Sequence, residues 1–167
     1  MDKWDELRQY VDNFNLQEEI AKVDTRKMLD ASEVIKEIRK FTIAASFGVF
    51  GVYNINRAIF TPRENARQKG SVEGMGAALS EGIKMLKDSI HYGWDLEVIQ
   101  KELVKSITKN YDNLRLAQAN LDDKKPKKIY QEIYYASKIN HLIQVWDMVF
   151  YPKEQQAEIY LKRKKSD

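Results

Sequence analysis

The stretch Phe41 to Phe60, FTIAASFGVFGVYNINRAIF, carries no charge until Arg57, and no other run in the chain is comparable. It is too short and too polar for a membrane span. Thr42, Ser46, Asn54 and Asn56 interrupt it, whereas a span needs about 20 predominantly apolar residues. The reading it supports is a segment buried on most sides with amphipathic helices packed round it. Gly48 and Gly51 each weaken a helix by about 1 kcal/mol relative to alanine, and the alternation Phe47, Val49, Val52 to Ile55 also suits a short hairpin. Helical periodicity enters unbroken from Val34, Ile35, Ile38 and Phe41, which favours a continuous or kinked buried helix.

Outward from this stretch the pattern is helical in both directions. Trp4, Leu7, Val11 and Phe14 share one face of a first helix over 2–14, and Asn15 is placed to cap a short second one carrying Leu16, Ile20 and Val23. Ser32 is the expected cap of the helix from Glu33. Thr61-Pro62-Arg63-Glu64 is a capping box with proline at the first helical position. The helix it opens is expected to end before Gly70, with Ser71 starting another. That next helix presents Val72, Met75, Leu79, Ile83, Leu86 and Ile90, with Gly74, Ala78 and Gly82 on its flank. Residues 95–121 place Ile99, Leu103, Ile107, Tyr111, Leu114 and Leu121 inward. After a turn at Asp122 to Lys125, Pro126 starts a helix to Phe150 with Ile129, Ile133, Ala136, Ile139, Ile143, Trp146 and Phe150 inward. So short a turn makes the two antiparallel neighbours. A last helix runs from Lys153, and residues 162–167 read as a frayed basic tail. The expected fold is therefore all-α: one domain over 1–161, a bundle of six to seven helices with a long C-terminal helical hairpin.

A chain of 167 residues suits one domain with a full core. Cysteine is absent, which excludes disulfides, thiolate metal sites and cysteine catalysis. The start MDKWDELRQY has acids and no apolar signal region, so a cytoplasmic location is expected. Abundant Lys, Glu and Ile resembles thermophile composition. Net charge is +3, too small by itself to argue for nucleic acid. It is unevenly spread: residues 1–56 hold 8 bases and 10 acids, 57–121 hold 10 and 8, and 122–167 hold 10 and 7.

No catalytic constellation, cofactor motif or metal site emerges. His91 and His141 are the only histidines, and His91 with Asp95 supplies two ligands where a metal needs more. The glycines from Gly70 to Gly76 precede a helix, but no strand feeds them and no Gly-Lys-Ser/Thr follows.

Binding features are stronger. At about 100° per residue, Lys127, Gln131, Tyr134, Lys138 and His141 lie near one line of the 126–150 helix, and Lys124, Lys125 and Lys128 cluster at its start. Lysines interleaved with tyrosine supply charge for phosphates and a face for stacking. Arg57, Arg63, Arg67 and Lys69 form a second basic group, in which arginine can clamp phosphate through bidentate contacts. Nine tyrosines suit docking on copies of the chain or on larger protein partners. The expectation is a non-enzymatic helical subunit of a nucleoprotein assembly, outside any membrane, touching nucleic-acid backbone through Lys124, Lys125, Lys127, Lys128, Tyr134, Lys138, Arg63 and Arg67. The alternative is a protein-interaction or oligomerisation module, with Trp146 and the tyrosines as its contact surface.

Overall fold

A computed structural model describes residues 1–50 and 59–165. The fold is all-α. Among the described residues there are seven helices: α1 Lys3–Asn13, α2 Leu16–Lys22, α3 Ala31–Ala45, α4 Pro62–Tyr92, α5 Leu96–Ala119, α6 Pro126–Phe150 and α7 Lys153–Lys165. A π-helical turn, Ser46–Phe50, continues α3, so the hairpin alternative does not hold at its start, and residues 51–58 lie outside the described ones. Side-chain oxygens of Asp2, Asn15, Asp30, Thr61 and Asp95 accept first-turn amides of α1 to α5, which satisfies donors the helix itself leaves open. Asp30, not Ser32, caps α3, because an aspartate one residue before the helix reaches the Glu33 amide at 3.2 Å. Gly93 ends α4 in the left-handed conformation at φ 67°, which glycine adopts without a Cβ penalty.

The centre of the molecule is α6. Ile129, Ile133, Ala136, Ile139, Leu142, Ile143, Val145, Trp146, Val149 and Phe150 are all buried along it, at about 1.5–3 kcal/mol for each large apolar side chain. These residues lie all round the helix, the pattern of a helix enclosed by others. On one side lie α5's Leu103 and Ile107, and on another α1's Tyr10 and Val11. The α5–α6 hairpin is antiparallel, with Leu114 at its closed end against Ala136 and Ile139.

Helix α4 runs parallel to α6 and almost touches its backbone. A Cβ built on Gly70 would lie 2.8 Å from the Tyr130 carbonyl oxygen, and one on Gly82 would lie 2.9 Å from a Val145 methyl. At Gly74 it would run into the Tyr134 carbonyl oxygen. The match of 70 with 130, 74 with 134 and 82 with 145 gives both direction and register. It also corrects the expected break before Gly70. That glycine is the price of close approach, and α4 continues unbroken for 31 residues. Its buried face is Ala66, Gly70, Gly74, Met75, Ala78, Leu79, Gly82, Leu86 and Ser89, while Ile90 is exposed.

Several other expectations are corrected. The described part of 41–60 is not the core: Ile43, Phe47 and Ile59 are 60%, 85% and 80% exposed. Helix α3 is peripheral and packs through Val34, Ile35, Ile38 and Ala45, while Ile43 and Phe47 stand outside that buried set. Leu121 is exposed because α5 ends at Ala119. The basic tail is helical to Lys165, and Arg163 turns inward. Its guanidinium donates to Glu19 at 2.8 Å and Asp147 at 2.6 Å. No helix among the described residues is long and apolar enough to cross a membrane.

Candidate nucleic-acid interface

Because α4 and α6 are parallel, their N-termini lie at the same end of the bundle. Pro62 and Pro126, each at a first helical position, line the same two shallow recesses. One recess is completed by Arg63, Lys124 and the Asp123 carboxylate, the other by Lys69, Lys127 and Tyr130. Two basic groups separated by some 60 positions in sequence thus become one surface, with Lys125 exposed and Lys128 half-buried beside it. Each helix N-terminus adds roughly half a positive charge from aligned peptide dipoles. No side chain caps α6, and no acid occupies its first turn.

The nearby acids are partly committed. Asp122 accepts the Lys124 backbone amide at 3.0 Å, and Glu64 holds Arg67 at 3.5 Å and Gln68 at 2.9 Å. Among the described residues, Arg63, Lys124, Lys125, Lys127 and Lys128 have no carboxylate within ion-pair distance. Phosphate oxygens are the ligands that such an array of N–H⁺ donors and helix termini suits.

The eight residues singled out from sequence divide in space. Lys124, Lys125, Lys127, Lys128 and Arg63 form the basic end. Arg67 is half-buried and turned to Glu64. Lys138 lies farther along α6, where its ammonium meets Glu81 at 3.1 Å. Tyr134 sits between, its ring 5.8 Å from Tyr130 and stacked at 29°. Tyr130 donates to Glu73 at 3.1 Å, and burial, with Glu73 beside it, pushes its hydroxyl up to about 12. Lys69 lies 5.9 Å over the Tyr130 ring, within cation–π range. Lys69, a member of the second basic group in the sequence, belongs with the basic end because the helix pairing brings it to Lys127.

His141 leaves the proposed stripe. It is buried, and burial pushes its imidazole down to about 4 against the opposing hydrogen bond to Ser137. Neutral Nδ1–H donates to the Ser137 carbonyl at 2.7 Å, while the Ser137 hydroxyl donates to the Ser71 carbonyl at 2.7 Å. The histidine is therefore a buried part of α6 with the Phe41 ring of α3 6.2 Å away, and Ser137 is the member of the α4–α6 contact. Among the described residues, no group of His, Asp or Glu is arranged to hold a metal ion. Trp146 is fully buried, which removes it from any contact surface. No protein-family model, curated protein or solved structure matches the chain.

Proposed function

We propose that this protein is a non-enzymatic nucleic-acid-binding subunit that contacts phosphate backbone at the joined N-termini of α4 and α6, without reading sequence. One observation carries the reading: parallel packing gathers Arg63, Lys69, Lys124, Lys125 and Lys127 round two helix N-termini. Base readout needs side chains aimed at base edges in a groove, whereas these cations form a broad, shallow surface suited to phosphates.

The test is fluorescence anisotropy with labelled single-stranded RNA, single-stranded DNA and duplex DNA at about 50 and 200 mM salt. Binding is expected to weaken steeply with salt, by about one power of salt per phosphate contact. The Lys124→Ala, Lys125→Ala, Lys127→Ala, Lys128→Ala variant should lose most of both affinity and slope. Absence of binding at low salt to all three probes overturns the reading.

A second reading, a protein-docking module, rests on the outward apolar residues Ile43, Phe47 and Ile59. Partner capture that is indifferent to salt and abolished by Phe47→Asp would favour it.

A further inference from the structure

Helices α4 and α5 both pack on α6 but scarcely on each other, so a cleft of about 550 Å³ opens between them with α6 as its floor. That volume lies in the range of small-molecule sites. Tyr134, Tyr135 and Lys138 form the floor, Glu81 stands on the α4 wall, and Lys105, Lys109 and Asn113 stand on the α5 wall. The Glu81 carboxylate is engaged by Lys138 at 3.1 Å and by the Ser106 hydroxyl. Lys105 and Lys109 have no ion pair among the described residues, and with Glu102 on the same wall they leave α5 one positive charge in excess there. The Tyr134 and Tyr135 rings meet edge to face, 5.2 Å apart at 83°, and are half-buried. The stacked Tyr130–Tyr134 pair links this cleft to the basic end.

We propose that the cleft takes an unpaired nucleotide, so that the ligand is a single strand whose phosphates cross the basic end and whose base enters against Tyr134 and Tyr135. This inference rests on the reading above and narrows it. Aromatic faces accept any base, the Asn113 amide offers a donor and an acceptor to a base edge, and Lys105 and Lys109 answer the attached phosphate. The spacing is suitable. From Lys127 to Lys138 the helix rises about 16 Å, or about five steps of a stacked strand at ~3.4 Å each. A duplex keeps its bases paired and stacked, so it can touch only the basic end.

The experiment compares a 12-nucleotide single-stranded RNA with a 12-base-pair RNA duplex, and repeats both in DNA, on the full chain at low salt. Single strands are expected to bind about tenfold more tightly than duplexes, roughly what one stacked base is worth. A 4-thiouridine in the RNA strand should photocross-link to Tyr134 or Tyr135. The Lys109→Glu, Asn113→Ala variant alters exposed or half-buried side chains, and it should abolish the preference for single strands while leaving duplex binding in place. Equal binding of single and double strands, or cross-links confined to residues 61–69 and 124–128, overturns the cleft and leaves the basic end standing. No binding of any strand overturns both.

Discussion

Replacing Arg163 with methionine tests how the C-terminal helix is held. None of the described side chains of α7 is buried, yet Arg163, only 12% exposed, reaches between Glu19 of α2 and Asp147 of α6. Glu19 also accepts from Trp146 Nε1 at 3.2 Å and from the Tyr151 hydroxyl at 2.9 Å. Burial works against ionisation of Glu19, but Arg163, Tyr151 and Lys22 outweigh it and hold its carboxyl below the ordinary range. Burial pushes Asp147 above that range, with Arg163 offsetting only part of the shift. In the native chain Glu19 therefore adds stability that disappears as pH falls through its folded pKa, while Asp147 acts in the opposite sense. Methionine keeps the packing volume but takes the cation from Asp147 and leaves Glu19 only Lys22, at 3.2 Å. Breaking a buried pair in this way costs about 3–5 kcal/mol at pH 7, which lowers Tm by about 10 °C for a chain of this size. Both carboxyls rise in the variant, so protonation below their ordinary pKa values near 4 removes most of the deficit. Urea unfolding followed by tryptophan fluorescence at about pH 7 and pH 4 measures it, and hydrogen exchange should show the α7 amides losing protection. A deficit under about 1 kcal/mol at pH 7, or one of equal size at both pH values, refutes the reasoning.

Gly74→Ala should destabilise by about 1–3 kcal/mol, because its methyl meets the Tyr134 carbonyl and α4 must lift off α6. Gly76→Ala, with nothing within 4 Å of the new methyl, should stabilise by about 0.5–1 kcal/mol, so thermal melts of the pair should differ in sign. His141, neutral in the fold with its pKa lowered to about 4, contributes stability above its unfolded pKa that is lost as pH falls toward the folded one. His141→Gln should therefore flatten the stability profile between about pH 6.5 and 4 relative to the native chain, as read by urea midpoints. Arg8 binds Glu132 through two parallel hydrogen bonds of 2.9 Å. Arg8→Met alone should cost about 3 kcal/mol, and Arg8→Met with Glu132→Met much less, which a double-mutant cycle checks.

Helix type and most helix starts were legible in the sequence, since Thr61-Pro62 and Asn15 announce themselves through cap chemistry that needs no tertiary context. What depended on neighbours was not. Gly70 looks like a break because local propensity penalises glycine, but the α6 backbone alongside it leaves no room for a Cβ. The Phe41 to Phe60 stretch reads as central because hydrophobicity does not say how many sides a helix has covered, and in its described part Ile43, Phe47 and Ile59 are exposed. Helix α6 reads as one-sided because Lys127, Gln131, Tyr134, Lys138 and His141 line the face opposite its inward residues, yet Glu132, His141 and Asp147 are each buried with a partner on α6 or another helix. The basic group at Lys124 to Lys128 was visible at once. Its junction with Arg63 and Lys69 required knowing that α4 and α6 run the same way, and the α5 wall of the cleft carries no motif at all.

That shared direction has an electrostatic consequence. Side by side in parallel, two helix dipoles repel, and the lysines and arginines stand at the ends where cations are least favourable. Contact along Gly70, Gly74 and Gly82 holds together what the charges drive apart. On the proposed function, a polyanion laid across that end would relieve this repulsion, and its binding free energy would add to the stability of the fold.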